Sequence, residues 1–216
     1  MSAARHALAA VDMQRDMFPE SDTIRIHGII EKGGSVINIV PEEVILQYQI
    51  RGKTPEAFKK ASDLFDRCMQ GAALAFGVTV KIRTYAGYMS LNNNQELLQI
   101  HKQNLQQLKP AVEFKHLGHR TSSTDMGDIS MIMPAIHPYA GEWRGIGHTE
   151  SFHWTDEKES FVEPAKTLAM NVIDLLYGDA GKAKEIAAIK PYFSRKEYLD
   201  FLDQMDGTAV HDYSKR

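Results

Sequence analysis

Nine histidines carry most of the chemical reach in this 216-residue sequence. His116 and His119 are close neighbours, His148 and His153 form a second pair, and His137 lies between them. A zinc site needs three or four nitrogen, sulfur or oxygen ligands, with one position open if the metal is catalytic. The spacing permits such a set without specifying it. In a loop-rich stretch a histidine is more often a hydrogen-bonded structural or surface residue, and that reading stands beside the ligand reading for each. No His-Glu-x-x-His pattern, cysteine pair or phosphate-cradling glycine loop narrows the choice. Ser122-Ser123-Thr124-Asp125 sets hydroxyls beside a carboxylate, a pattern that also serves as a turn or helix cap.

A second group of polar residues lies nearer the N-terminus. Arg25 and His27 alternate with Ile24 and Ile26, which gives that stretch a polar side that water could cover. Asn38 sits among branched apolar residues in Ile37-Asn38-Ile39-Val40-Pro41, where asparagine is either a turn residue or a placed hydrogen-bonding group. Arg51 ends an apolar strand and reads as a solvated end charge or a carboxylate clamp.

The elements that must position these groups follow from periodicity. Residues 2–17 have helical spacing in Ala4, Leu8 and Val11, with Pro19 as the stop. Thr23 to Ile30 begins with the period of two expected of a strand. Gly33-Gly34 breaks it, and Val44, Leu46, Tyr48 and Ile50 share one face of a second strand. Thr54-Pro55-Glu56 opens a helix whose stripe is Phe58, Ala61, Phe65, Cys68 and Ala72, ending at Gly77. A third strand is expected over Val78 to Tyr85. This order is that of a split βαββαβ unit lacking its first strand, so the fold class is α/β (α+β) with an incomplete ferredoxin-like domain over 1–90. The composition changes near 87–93, and 91–216 forms the second domain. There a helix ends at Pro110, residues 111–148 are irregular with an apolar run from Ile129 to Ile136, and a helix from near Pro164 is expected to bury Leu168, Val172 and Leu176. Another helix is expected near 180–189, followed by a capping box at Phe193 to Tyr198.

Composition removes several function classes. With 43% hydrophobic and 25% charged residues the chain is of ordinary globular type. A net charge of −3 gives no electrostatic reason to expect nucleic acid or an anionic membrane as partner. The single cysteine, Cys68, excludes an internal disulfide framework and suits a reducing compartment, so a cytoplasmic protein is expected. No run of apolar residues is long enough to span a bilayer. A ferredoxin-like RNA binder would need basic charge and stacking aromatics on its strands, which are missing.

Several segments taken together carry a resemblance. Arg25-Ile26-His27-Gly28-Ile29-Ile30-Glu31-Lys32-Gly33-Gly34, Asn38-Ile39-Val40-Pro41-Glu42 and Tyr48-Gln49-Ile50-Arg51 resemble the lid, or dimerisation, domain of the metal-dependent aminoacylase/carboxypeptidase family. Ser123 to Asp128, Ile136-His137-Pro138-Tyr139, Gly147-His148-Thr149-Glu150 and Ala165 to Met170 continue the likeness into its catalytic domain, in the family's order. The aminobenzoyl-glutamate utilisation and β-alanyl-lysine dipeptidase branch is the nearest in pattern. The resemblance implies a zinc-peptidase-like α/β domain with an inserted lid, a homodimer formed through the lid, and two zinc ions that activate a water against the amide of an N-acyl amino acid or small dipeptide. It makes His148 the last metal ligand, Asn38 the lid residue that approaches substrate in the neighbouring subunit, and Arg51 the clamp on a substrate carboxylate. His27, Asp125 and His137 receive no role. The family's other metal ligands, its glutamate base and the first lid strand have no counterpart here. The chain is therefore expected to be the C-terminal part of such an enzyme, inactive alone, or a dimerisation or binding module descended from one.

Overall fold

The computed structural model describes residues 1–114, 118, 123–139 and 141–215; His116, His119 and Ser122 fall outside the described residues. The elements are mixed helix and short sheet, an α+β composition. They gather into two compact units, one holding Met1–Ser90 with the tail from Lys196, the other taking up the chain at Leu91 and holding Thr124–Arg195.

The first unit is built on two helices, α1 (Ser2–Met13) and α2 (Pro55–Phe76). The expected helix over 2–17 is shorter, because a 3₁₀ turn, Arg15–Met17, takes over before Pro19. The start of α2 follows its sequence signals. Thr54 Oγ1 accepts from Ala57 N at 3.2 Å, Pro55 supplies a preset φ in the first turn, and Gly77 caps the other end in the left-handed region. The helices share a core of Ala7, Val11, Met69 and Ala72. Beneath it lies an antiparallel hairpin of β1 (Arg25–Lys32) and β2 (Ile45–Arg51), whose Ile26 and Leu46 pack against this core. Full burial of a valine, leucine, isoleucine or methionine side chain stabilises by about 1.5–3 kcal/mol, and the partly buried Ile26 and Leu46 contribute less.

Strand alternation then fixes the other face. With Ile26 opposite Ile50 and Gly28 opposite Tyr48 on the inner side, Arg25 opposite Arg51 and His27 opposite Gln49 must look outward. Gly28 is required by its cross-strand partner, since a Cβ there would lie 2.6 Å from the Tyr48 ring and 2.1 Å from Gln47 O. The space it leaves admits the tyrosine, which leans on Phe65 of α2 with ring centroids 5.2 Å apart.

The third strand, β3 (Thr79–Thr84), brings Val80 and Ile82 against the same core. It pairs with a strand the sequence reading did not assign: β6 (Gly207–Asp212) from the tail lies antiparallel to it, from Thr79 opposite Asp212 to Thr84 opposite Gly207. Among the described residues β1–β2 and β3–β6 are separate two-stranded sheets. A six-residue strand in a charged tail has too weak an alternation to be read without its partner.

The second unit is mainly helical, with α3 (Gln95–Leu108), α4 (Asp125–Ile132), α5 (Glu163–Leu176) and α6 (Gly181–Ala187), plus a two-residue hairpin of β4 (Trp143–Arg144) and β5 (His153–Trp154). From Arg195 to Met205 the chain forms α7, which leads into β6. The region 111–148, read as irregular, contains α4; Thr124 is its N-cap and Asp125 takes up Met126 N at 3.0 Å.

One expectation is overturned. Leu168, Val172 and Leu176 of α5 are not buried but 53%, 53% and 57% exposed, whereas Glu163, Thr167 and Asn171 of the same helix face inward. Helical spacing groups residues on one face correctly, but it cannot say which face meets a neighbour. Here the inward face is selected by polar partners on α3. Asn104 Nδ2 donates to Asn171 Oδ1 at 3.1 Å and to Asp174 Oδ2 at 2.6 Å, and the Asn171 amide meets His101 Nδ1 at 3.0 Å.

Candidate functional site

Two places hold the residues singled out by sequence, one in each unit. In the first, the β1–β2 hairpin carries Arg51 and His27 on its outer face and Asn38 in the connection between its strands. The base of that connection is closed by an ion pair, Lys32 Nζ to Glu43 Oε2 at 2.6 Å. Their mutual hydrogen bond raises the ammonium's pKa and lowers the carboxylate's. Asn38 lies in the turn that Ile39 N closes onto Val36 O at 3.4 Å. Around it, Ile37, Ile39 and Val40 are exposed, Ile37 fully so. An asparagine ringed by bare branched side chains is unusual for a turn that only reverses the chain, because such surface is costly in water.

At the hairpin's end, the Arg51 guanidinium donates through Nη2 to Gln49 Oε1 at 2.8 Å. Gln49 shares its face, so the glutamine orients the guanidinium along the strand. The inner side of the hairpin is anchored on α2, which makes the outer face a fixed platform.

In the second unit, His148 occupies the connection between β4 and β5. It is exposed and adopts φ 66, a left-handed conformation uncommon for a residue with a side chain. The loop around it explains how this is held. Thr149 N and Oγ1 both donate to Ile146 O, at 3.2 and 2.8 Å, Ile146 N donates to Ser151 Oγ at 3.1 Å, and Phe152 N donates to Thr149 O at 3.1 Å. Gly145 lies so close to Ser151 that a Cβ would sit 1.9 Å from its carbonyl oxygen, and its φ of 89 adds a second reason for glycine. Below the loop, Trp143 stacks on Phe152 with ring centroids 5.2 Å apart, and Phe161 meets both Trp143 and Trp154 edge-on. A hydrogen-bonded turn on an aromatic base thus holds an exposed imidazole on a strained backbone.

Three other described histidines have local roles. His153 Nδ1 lies 2.7 Å from Ser151 O. The backbone N of His137 donates to Asn93 Oδ1 at 3.0 Å and its ring leans on Tyr139. His101 is buried in the α3–α5 network, where burial pushes its pKa down and favours the neutral imidazole. In the sequence its only signal is the polar spacing of Asn104, Asn171 and Asp174 around it. Cys68 lines a cleft of about 530 Å³ with His6, Gln14, Arg67 and Gly71. Burial pushes its thiol pKa up, which disfavours the thiolate.

A two-metal centre needs several carboxylates and imidazoles in one place. Among the described residues no group of three or more His, Cys, Asp or Glu side chains is close enough to hold a metal ion. His148 offers one imidazole, and the described residues do not make up such a centre.

No protein-family profile matches the chain. Curated proteins do. The Xaa-Arg dipeptidase of Homo sapiens is 32% identical over 166 residues, covering 72% of this chain and 37% of that protein. The Xaa-Arg dipeptidase of Mus musculus is 31% identical over 168 residues, 73% of this chain and 38% of the protein. An N-acetyldiaminopimelate deacetylase of Leuconostoc mesenteroides is 25% identical over 154 residues, 71% of this chain and 38% of its own length. The chain thus spans less than two fifths of the relatives it matches. Their names describe hydrolysis of an amide bond, and the matches support kinship with peptidases of the amidohydrolase type. No helix among the described residues is long and apolar enough to cross a membrane.

Proposed function

We propose that this relative of amide-cleaving hydrolases is the lid and the His148-bearing part of a metal-dependent amidohydrolase or dipeptidase. Its substrates would be N-acyl amino acids or small dipeptides. The match to the Xaa-Arg dipeptidases over nearly three quarters of the chain carries this reading. Residues 1–90 are the ferredoxin-like lid, α1 and α2 cover one of its faces, and two copies associate through it. Residues 91–216 belong to the catalytic domain. When bound, a pair of zinc ions would supply Lewis acidity and an activated water. His148 would be one ligand, with the others supplied by further polypeptide, so the chain alone hydrolyses nothing.

Within that enzyme the lid residues divide the work. The Asn38 amide, carried on its apolar turn, donates to the oxyanion in the neighbouring subunit's site as the tetrahedral intermediate forms. Arg51 holds the substrate carboxylate equally in ground and transition states, which is uniform binding. A module that binds or dimerises without catalysis is the second reading, favoured by the missing metal cluster among the described residues.

The test joins this chain to the part of the human Xaa-Arg dipeptidase that the match does not cover. Zinc-dependent dipeptide hydrolysis is expected from the assembly and none from the chain alone. Asn38→Ala should then lower kcat by about 10²–10³-fold with little change in KM, whereas Arg51→Ala should mainly raise KM. Tight stoichiometric zinc on the isolated chain, lost on His148→Ala, would overturn the ligand accounting. An inert but dimeric assembly would leave the second reading.

A further inference from the structure

Strand β2 has an edge unlike those of its neighbours. Among the described residues it pairs with β1 alone, so its second edge holds no strand. It runs Ile45-Leu46-Gln47-Tyr48-Gln49-Ile50-Arg51, with no proline and no charged residue before the last. Strands that must stay unpaired are guarded by charge, proline or irregularity. β1 has Glu31 at a shift of register, and β3 has Lys81 and Arg83 within its length and β6 along one edge. β2 has no such guard.

The surroundings of that edge show what it lacks. β2 and β3 are joined through α2, the kind of crossover that connects parallel strands of one sheet. They nevertheless belong to separate two-stranded sheets over one core. Ile26 and Leu46 from one sheet, and Val80 and Ile82 from the other, pack against the cluster of Ala7, Val11, Met69 and Ala72, and all four remain partly exposed. Apolar surface left half in water favours whatever finishes covering it.

We propose that the bare edge of β2 receives an extended segment of further polypeptide from the same enzyme, antiparallel to β2, with branched apolar residues at alternate positions. This rests on the lid reading of residues 1–90 and names where, and by what chemistry, that unit is completed. The choice of occupant follows from length, since the chain spans less than two fifths of the relatives it matches. Backbone N–H and C=O groups of β2 pair with the segment and supply the affinity. The segment's alternate side chains cover the half-exposed core and fix the register, because a slip of one residue would turn them to water. With β2 and β3 parallel, a segment antiparallel to one is antiparallel to the other, and it joins the two sheets into one.

The whole chain is compared with a fusion that carries Lys-Thr-Val-Thr-Val-Thr-Val-Lys ahead of Met1 through a Gly-Ser linker, and with a second fusion whose valines are prolines. Amide hydrogen exchange is followed by NMR at two protein concentrations. The valine fusion is expected to slow exchange of those β2 amides that do not bond to β1 by at least about tenfold, and to raise the urea midpoint. The proline fusion should do neither, because proline cannot donate to a ladder. Unchanged β2 exchange in the valine fusion, or equal slowing by the proline fusion, would overturn the proposal. Slow β2 exchange in the chain alone that deepens with concentration would give the edge to a second copy and overturn it too. Protection is read without turnover, so an inert joined enzyme would sink the amidohydrolase reading and leave the strand site standing. An active joined enzyme whose β2 amides stay unprotected would do the reverse.

Discussion

Helices α2 and α5 have equally clear amphipathic patterns and opposite fates. In α2 the apolar stripe faces inward, burying Ala57, Ala61, Leu64, Met69, Ala72 and Ala73, with a hydroxyl cap at one end and a glycine at the other. In α5 the polar stripe faces inward. Thr167 Oγ1 donates to Glu163 O at 2.8 Å, and the Glu163 carboxylate is met by Lys158 and Lys166 at 3.6 and 3.4 Å. Asn171 meanwhile joins the α3 network, and the leucine and valine stripe is left to solvent. The lesson is that an amphipathic pattern describes two faces of unequal chemistry. The hydrophobic effect chooses between them only where apolar surface is offered in return, and on α3 a set of hydrogen-bonding groups is offered instead.

The widest contrast is expected between one leucine of each helix. Leu64→Ala removes a side chain only 6% exposed and should cost about 2–5 kcal/mol. Leu168→Ser should change stability by no more than about 0.5 kcal/mol. Urea unfolding of each variant measures both, and equal losses would erase the distinction.

The α3–α5 network sets the next effect. Asn104 is 1% exposed and satisfies two acceptors, so Asn104→Ala should leave Asp174 and Asn171 short of donors and cost about 1–3 kcal/mol. A loss within error would mean that the polar stripe of α5 is not held by these bonds.

The smallest effect is a dependence on pH. The Asn171 carbonyl oxygen already accepts from Asn104, so its amide nitrogen faces His101 Nδ1, which must accept and therefore lack a proton. Burial also lowers the His101 pKa in the folded state. The unfolded chain then binds the proton more readily, so this contribution is complete above the ordinary histidine pKa of about 6.5 and is lost as pH falls below that value toward and through the lower folded-state pKa. The urea midpoint should drop between pH 7.5 and 5.5, and His101→Gln should flatten the drop. An unchanged slope in that variant would assign the acid sensitivity elsewhere.

How much of this could be read beforehand differs by element. The cap and stop of α2, the two strands β1 and β2 with their apolar and polar sides, and the strand at β3 follow from local rules, because each is decided by neighbours within a few residues. Strand β6 was missed because its pairing partner is more than a hundred residues away, and α4 because an eight-residue helix gives too short a pattern. Of the site residues, the types and faces of Arg25, His27 and Arg51 were legible, since alternation along a strand fixes them. Their opposition across the hairpin was not, because register depends on the turn and on packing against α2. His148 was visible as an imidazole in a glycine-flanked loop, but its left-handed backbone and aromatic base emerge only once Trp143 and Trp154 meet across β4 and β5. The sequence alone determined which residues share a face and where the chain must turn. The tertiary structure decided which face of each helix looks inward and which charges confront one another, because those choices depend on groups that only folding brings within reach.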